Sequence, residues 1–362
     1  MPGPLTGLTI VEMAGIGPAP FAAMMLADHG TEVIRVERAG MIGVPNDPLL
    51  RSRRSISLDL KREEGREVLR RLAGKADGLV EGYRPGVMER LQLGPDRLLE
   101  DNPKLVYGRV TGWGQDGPLA REAGHDINYV AISGLLHGIG PRERPVVPGN
   151  YLGDYAGGAM MLAFGMVAAL LAVQRGGAGQ VIDASKSDGT ALIGALTYGL
   201  SAAGLWSNER ESNLLDGGDP AYGVYRCLDG KFLSLGAIEP QFRESLFKRL
   251  ALPLSATREE VASVIASRSR DDWAAHFAGA EACVAPVLDL GESPLHPHNI
   301  ARRTFLDLDG VFQPAPAPRY SATVLDRPDP PRREGQDGEA ILGDLGYSAD
   351  AIAELREEGV LL

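Results

Sequence analysis

Two short segments carry the residues best suited to chemistry. Ala123-Gly124-His125-Asp126-Ile127-Asn128-Tyr129 sets an imidazole beside a carboxylate. Asn150-Tyr151-Leu152-Gly153-Asp154-Tyr155-Ala156-Gly157-Gly158 sets a lone carboxylate just before two glycines and a long apolar run. Proton-transfer groups on separate segments, one of them at a helix N-terminus, suit a reaction that removes a proton from one face of a carbon and returns one to the other. Each residue also has an ordinary alternative: His125 as a satisfied core histidine, Asp154 as a helix N-cap. Glu239, in Gly236-Ala237-Ile238-Glu239-Pro240, reads either as a functional carboxylate or as a cap ahead of a Pro-initiated helix. Small residues beside each of them leave room for a ligand.

The elements that must position these groups read as α/β. Residues 7–12 form a strand, 19–29 a helix and 31–37 a second strand, which together make one βαβ unit. An amphipathic helix follows over 61–75, with Val68, Leu69 and Leu72 on its apolar side, and further strands over 78–81, 105–110 and 180–183. Alternation of this kind predicts an open, Rossmann-like parallel sheet. After about residue 207 the pattern changes. Leu228-Asp229-Gly230-Lys231 is a hairpin turn between strands at 224–227 and 232–235, followed by helices over 241–250, 258–267 and 270–278. The expected division is a large α/β domain over 1–186 completed by 330–362, a linker helix region over 187–220, a small α+β domain over 221–310 and an extended, proline-rich return linker over 311–329. Helices over 338–345 and 349–358, the second capped by Ser348, close the chain.

Composition narrows the function classes. The 362 residues carry a formal charge of −11, which argues against nucleic acid or an anionic membrane as partner. Between Arg35 and Arg97, however, 14 Lys and Arg stand against 10 Asp and Glu, a local excess that suits a compact anionic ligand. Cys227 and Cys283 have neither metal nor redox spacing, and the N-terminus lacks the basic start of a signal peptide, so a reduced, cytoplasmic setting is expected. Residues 155–173 run without a charge and 189–206 repeat the pattern; both are read as helices buried in a core or a subunit interface, not as membrane spans. Gly15-Ile16-Gly17 follows the first strand as a dinucleotide loop would, yet Pro20 stands where its third glycine belongs. Gly112-Trp113-Gly114-Gln115-Asp116-Gly117 fits the same pattern but runs into Pro118 rather than a helix. His296 and His298, between prolines, read as surface histidines. Neither a metal nor a separate cofactor is expected.

The chain resembles the family III CoA-transferase and racemase superfamily. The resemblance rests on Leu8-Thr9-Ile10-Val11-Glu12, Val36-Glu37-Arg38, Ser57-Leu58-Asp59-Leu60-Lys61, Gly82-Tyr83-Arg84-Pro85-Gly86-Val87, Thr111-Gly112-Trp113-Gly114-Gln115, the two opening segments, Asn213-Leu214-Leu215-Asp216-Gly217-Gly218 and Gly236-Ala237-Ile238-Glu239-Pro240-Gln241-Phe242. The stretches around His125 and Glu239 resemble the racemase branch. That branch implies interconversion of (R)- and (S)-2-methylacyl-CoA thioesters by 1,1-proton transfer through an enolate, with CoA entering as part of the substrate. It implies His125 and Asp154 as the opposed acid/base pair, Glu239 orienting His125, and Asp126 fixing the network and contacting the thioester. Arg38, Leu58, Asp59, Leu60, Lys61 and Arg84 are implied as the CoA set, with Arg51, Arg53 and Arg54 as additions to it. Gly124, Ile127, Asn128 and Tyr129 are implied as a wall of the acyl site. An interlocked homodimer is implied as well. The transferase branch implies instead that Asp154 is a nucleophile. Asp219 departs from the racemase pattern, where a small apolar residue is usual, and leaves the acyl preference open.

Overall fold

The computed structural model describes residues 3–38, 44 and 46–362. Two compact units emerge: residues 1–133, 149–193 and 303–362 form the first, and 134–148 with 194–302 the second. Residues 134–148, expected within the large domain, group with the second unit.

In the first unit β1 (Thr9–Met13), β2 (Glu32–Glu37), β3 (Arg53–Ser57), β4 (Gly78–Glu81), β5 (Val106–Thr111) and β6 (Gln180–Ser185) make one parallel sheet in the order β3-β2-β1-β4-β5-β6. β4 and β5 are buried along their whole length, as strands covered on both faces must be. One face packs on α1 (Pro18–Asp28), and the other on α2 (Glu63–Lys75) with the closing helices at 338–344 and 349–357. The strand order reverses between β1 and β4. In open sheets the crevice at the carboxyl ends of the strands, at such a switch point, is where ligands bind.

The sequence pattern gave no sign of β3. Arg53-Arg54-Ser55-Ile56-Ser57 lacks an apolar alternation because its inward residues are polar and paired. Arg53 Nε donates to Glu12 Oε2 at 3.0 Å, and Ser55 Oγ donates to Glu37 at 2.7 Å. Glu12, fully buried in β1, also takes Arg35 at 2.5 Å. The expectation that Arg51, Arg53 and Arg54 add to an anion site is corrected by this geometry. Arg51 is held by Asp28, Gln313 and the Pro314 carbonyl; Arg53 by Glu12 and the Arg51 and Pro20 carbonyls; Arg54 by Glu32 and Asp344. Strand polarity explains this, because Arg51 to Arg54 enter β3 at the end opposite the crevice.

Between β4 and β5 lie α3 (Val87–Arg90) and α4 (Pro95–Asp101). Between β5 and β6 come α5 (Asp126–Ile132), a π-helical turn over Tyr151–Ala159 that continues into α6 (Met160–Gln174), and after β6 follows α7 (Lys186–Ile193). Asp154 is therefore inside the first turn of a helical run, not its N-cap. One face of α6 (Leu162, Ala163, Met166, Ala169, Leu170) is buried on the sheet, while Phe164 is 74% exposed and Val167 and Leu171 are also open. Of the expected burial in a core or a subunit interface, the core covers one face of α6 and leaves the other open. By length and composition, the run Tyr151–Gln174 would suffice to cross a membrane.

The two glycines after Asp154 have a packing role. A Cβ at Gly157 would stand 2.4 Å from Thr190 Oγ1, and one at Gly189 would stand 1.9 Å from the Gly157 carbonyl oxygen. α7 thus lies backbone to backbone on the π-helical turn. Gly189→Ala is expected to force the two apart, lowering stability by about 1–3 kcal/mol as overpacking does. An unchanged melting temperature would contradict this.

In the second unit α8 (Ala195–Ala202) precedes an antiparallel sheet of β7 (Tyr222–Arg226), β8 (Phe232–Gly236) and β9 (Val284–Pro286), ordered β7-β8-β9. α9 (Pro240–Leu250), α10 (Arg258–Ile265) and α11 (Arg270–Phe277) supply Phe247, Ile265 and Trp273 to its core. The Asp229-Gly230 turn is present, with Gly230 at φ 80°. A second hairpin over 305–314, turning at Asp309-Gly310, belongs to the first unit.

Candidate active site

The site is built at the carboxyl ends of the parallel strands. His125 is the N-cap residue of α5, in extended backbone (φ −130°, ψ 172°), with its imidazole exposed. Its N–H donates to Asn128 Oδ1 at 3.0 Å, and the Asn128 N–H donates to the His125 carbonyl at 2.8 Å. Asn128 thus stiffens the His125 backbone. Ile127 is partly open beside it.

Asp126 turns inward and is 7% exposed. Its Oδ2 accepts the Asp154 N–H at 2.6 Å. First-turn N–H groups have no acceptor within their own helix, so Asp126 caps a helix other than the one it belongs to. A Cβ at Gly153 would stand 2.7 Å from the same oxygen, which is why the approach needs glycine. This bond ties the His125 segment to the Asp154 segment. Burial pushes the Asp126 carboxyl up from the usual aspartate range, while the backbone donors Asp154 and Gly153 act against that. Its Oδ1 is buried without a hydrogen-bond partner among the described residues.

Asp154 Oδ1 accepts from Lys186 Nζ at 2.9 Å, and Oδ2 lies 3.4 Å from Asn150 Nδ2. Lys186 Nζ also stands 5.0 Å above the Tyr129 ring, within cation–π range. Tyr129 is a buried strut: its hydroxyl donates to the Gly124 carbonyl, and its ring meets Trp113 edge-on at 4.7 Å. A Cβ at Gly112 would stand 2.2 Å from this ring, and one at Gly124 2.9 Å, so both glycines serve the packing of Tyr129. Burial raises the Tyr129 phenol, with the Asp154 charge adding to the effect and Arg84 opposing it.

The expected CoA set sits on successive strand ends. Arg38 follows β2, 58–61 follow β3, and Arg84 follows β4. Arg38, Arg84 and Lys61 are exposed. The Asp59 carboxylate accepts the Lys61 N–H at 3.0 Å, turning the chain there. Leu60 packs against the core. Leu58 is corrected: its side chain is 0% exposed in the core and its backbone bridges Leu361, so it holds the turn and offers no side chain to a ligand.

Glu239 belongs to the second unit, where it is the exposed N-cap residue of α9. Asp219 lies in the same unit and is neutralised there. Its carboxylate takes Arg243 of α9 at 2.7 and 2.8 Å and the Ala221 N–H at 2.7 Å.

The family profile described as CoA-transferase family III matches residues 5–337. The chain belongs to CoA-transferase family III. It is 43% identical over 376 aligned residues to the mouse (Mus musculus) protein named alpha-methylacyl-CoA racemase, covering 99% of this chain and 97% of that one. The human protein of the same name is 42% identical over the same shares. A crystal structure of a CaiB/BaiF family protein from Brucella suis superposes with a TM-score of 0.81 at 25% identity, covering 95% of this chain and 100% of that one. The mixed α/β architecture is thus that of family III.

Within this family III framework, motif reading passed over Lys186 and Trp113 as side chains of the site. Lys186 carried a signal: it is a lone cation at the carboxyl end of a parallel strand, in Ala184-Ser185-Lys186-Ser187-Asp188. Trp113 stood in the Thr111–Gln115 stretch of the family resemblance, but nothing local pointed to its partner Tyr129, 16 residues away.

Proposed function

We propose that this family III protein is an isomerase, a racemase that interconverts the (R) and (S) forms of 2-methylacyl-CoA thioesters. The observation that carries the reading is the Asp126–Asp154 bond, which joins an exposed imidazole and a carboxylate on two segments of one unit. The near full-length likeness to proteins named as racemases selects this reaction over acyl transfer.

In this reading one of His125 and Asp154 takes the Cα proton and the conjugate acid of the other delivers a proton to the opposite face. A thioester α-proton is a weak acid, so the enolate oxygen needs charge stabilisation as it develops. Backbone N–H groups at helix starts supply it without reorganisation. Arg38, Lys61 and Arg84 hold the CoA phosphates, and CoA is part of the substrate with no further cofactor required. The chain works as a homodimer, in which a second copy covers the open apolar face of α6 at Phe164, Val167 and Leu171.

The test is incubation of one enantiomer of a 2-methylacyl-CoA in D2O with a second carboxylate present. Loss of chirality together with one deuterium at Cα is the expected result. CoA appearing on the second carboxylate, with Cα unexchanged, would instead make Asp154 a nucleophile.

A further inference from the structure

Lys186 is a charged group at the site to which neither the acid/base pair nor the CoA set assigns a task. We propose that Lys186 is a positioning residue for proton transfer: it pins Asp154 through Oδ1, so that Oδ2 is the oxygen that takes and returns the Cα proton. This rests on the racemase reading.

A lysine side chain is flexible, and it orients a partner only if it is itself held. Here it is held at both ends. Its backbone begins α7, which the Gly157–Gly189 approach locks against the π-helical turn carrying Asp154. Its stem passes Gly158, where a Cβ would stand 3.0 Å from Lys186 Cγ. Its ammonium rests over Tyr129, itself tied to Gly124 and Trp113. Lysine and aspartate side chains are 13% and 17% exposed, so the pair is largely screened from water yet reachable. The two carboxylate oxygens are therefore not equivalent. Oδ1 is occupied at 2.9 Å, whereas Oδ2 has only the long 3.4 Å contact to Asn150 among its hydrogen bonds within the described residues. Gly17 borders Oδ2, and a Cβ there would stand 3.7 Å away, in ordinary contact. Asp126 holds the Asp154 backbone and not its side chain, and the charge of Arg84 reaches Tyr129.

The test compares the parent with Lys186→Met, of similar length and no charge, and Lys186→Arg. The readouts are kcat, KM and the primary isotope effect with Cα-deuterated substrate. Loss of the pin lets the carboxylate rotate, and misplacement on the order of 1 Å lowers rate by about 10²-fold. The expected result is a fall in kcat of that order for Lys186→Met, KM within about two-fold, a larger isotope effect, and recovery of most of the rate in Lys186→Arg. A Lys186→Met enzyme with parental kcat and isotope effect, or one whose loss lies in KM, overturns the proposal. If circular dichroism shows Lys186→Met to be unfolded, Lys186→Gln, which keeps a donor on a shorter stem, replaces it in the same comparison. A parent that takes up no deuterium at Cα fails the racemase reading instead, so the two failures are distinct.

Discussion

Asp154→Asn is expected to fold normally and to racemise about 10²–10⁴-fold more slowly, the range set by loss of a general acid/base. Asparagine matches aspartate in shape, and its amide oxygen can still accept from Lys186, so the contact at 2.9 Å survives the change. What disappears is an oxygen able to take a proton. The proposed mechanism, with bases on two faces, gives a sharper result. His125 still deprotonates the enantiomer presented to it, and without an acid opposite, the proton returns from the same side. That enantiomer should exchange its Cα hydrogen for deuterium with retention, while the other should barely exchange. Chiral analysis and mass spectrometry of the recovered thioester read both effects. Full racemisation by Asp154→Asn would remove Asp154 from the mechanism.

Glu12→Ala is expected to be the most destabilising single change in the sheet, by about 3–5 kcal/mol, the cost of leaving a buried partner charge unpaired. Glu12 is 0% exposed in β1 and meets Arg35 at 2.5 Å and Arg53 at 3.0 Å. Removing it leaves two buried guanidinium groups with incomplete partners. Arg53 keeps the Arg51 and Pro20 carbonyls, and Arg35 keeps a long 3.4 Å contact to the Gly15 carbonyl and Glu37 at 3.7 Å. Because Gly15 lies on the loop after β1, the change should loosen the crevice as well as the sheet. Urea denaturation followed by the first unit's signal measures the loss; a shift below about 1 kcal/mol would mean that the arginines find other partners.

The sequence was legible wherever local chemistry and burial agree. β1, β2, β4 and β5 were readable because they bury apolar runs, the edge strand β6 from its β-branched Val181-Ile182, and the Asp229-Gly230 turn because its geometry demands those residues. The 305–314 hairpin carried the same Asp-Gly signal and was passed over beside a proline-rich stretch. β3 was not legible, because its inward Arg53, Ser55 and Ser57 are satisfied by Glu12, Glu37 and Glu334, far off in sequence. Leu58 matched a ligand-binding stretch by motif, yet its face of the chain is decided by the edge of the sheet and the Leu361 bridge.

By itself the sequence determined the family and motivated the proposed chemistry. His125, Asp126 and Asp154 stand in local motifs whose side-chain types suit proton transfer. Only the tertiary structure decided how those groups are held: that Asp126 caps the helix of Asp154, that Asp154 sits within a π-helical turn, and that Lys186 claims one of its oxygens. The reason is distance along the chain. Motifs record neighbours, whereas the 28 and 32 residues separating Asp154 from Asp126 and Lys186 are closed by strand order and by glycines that let backbones touch.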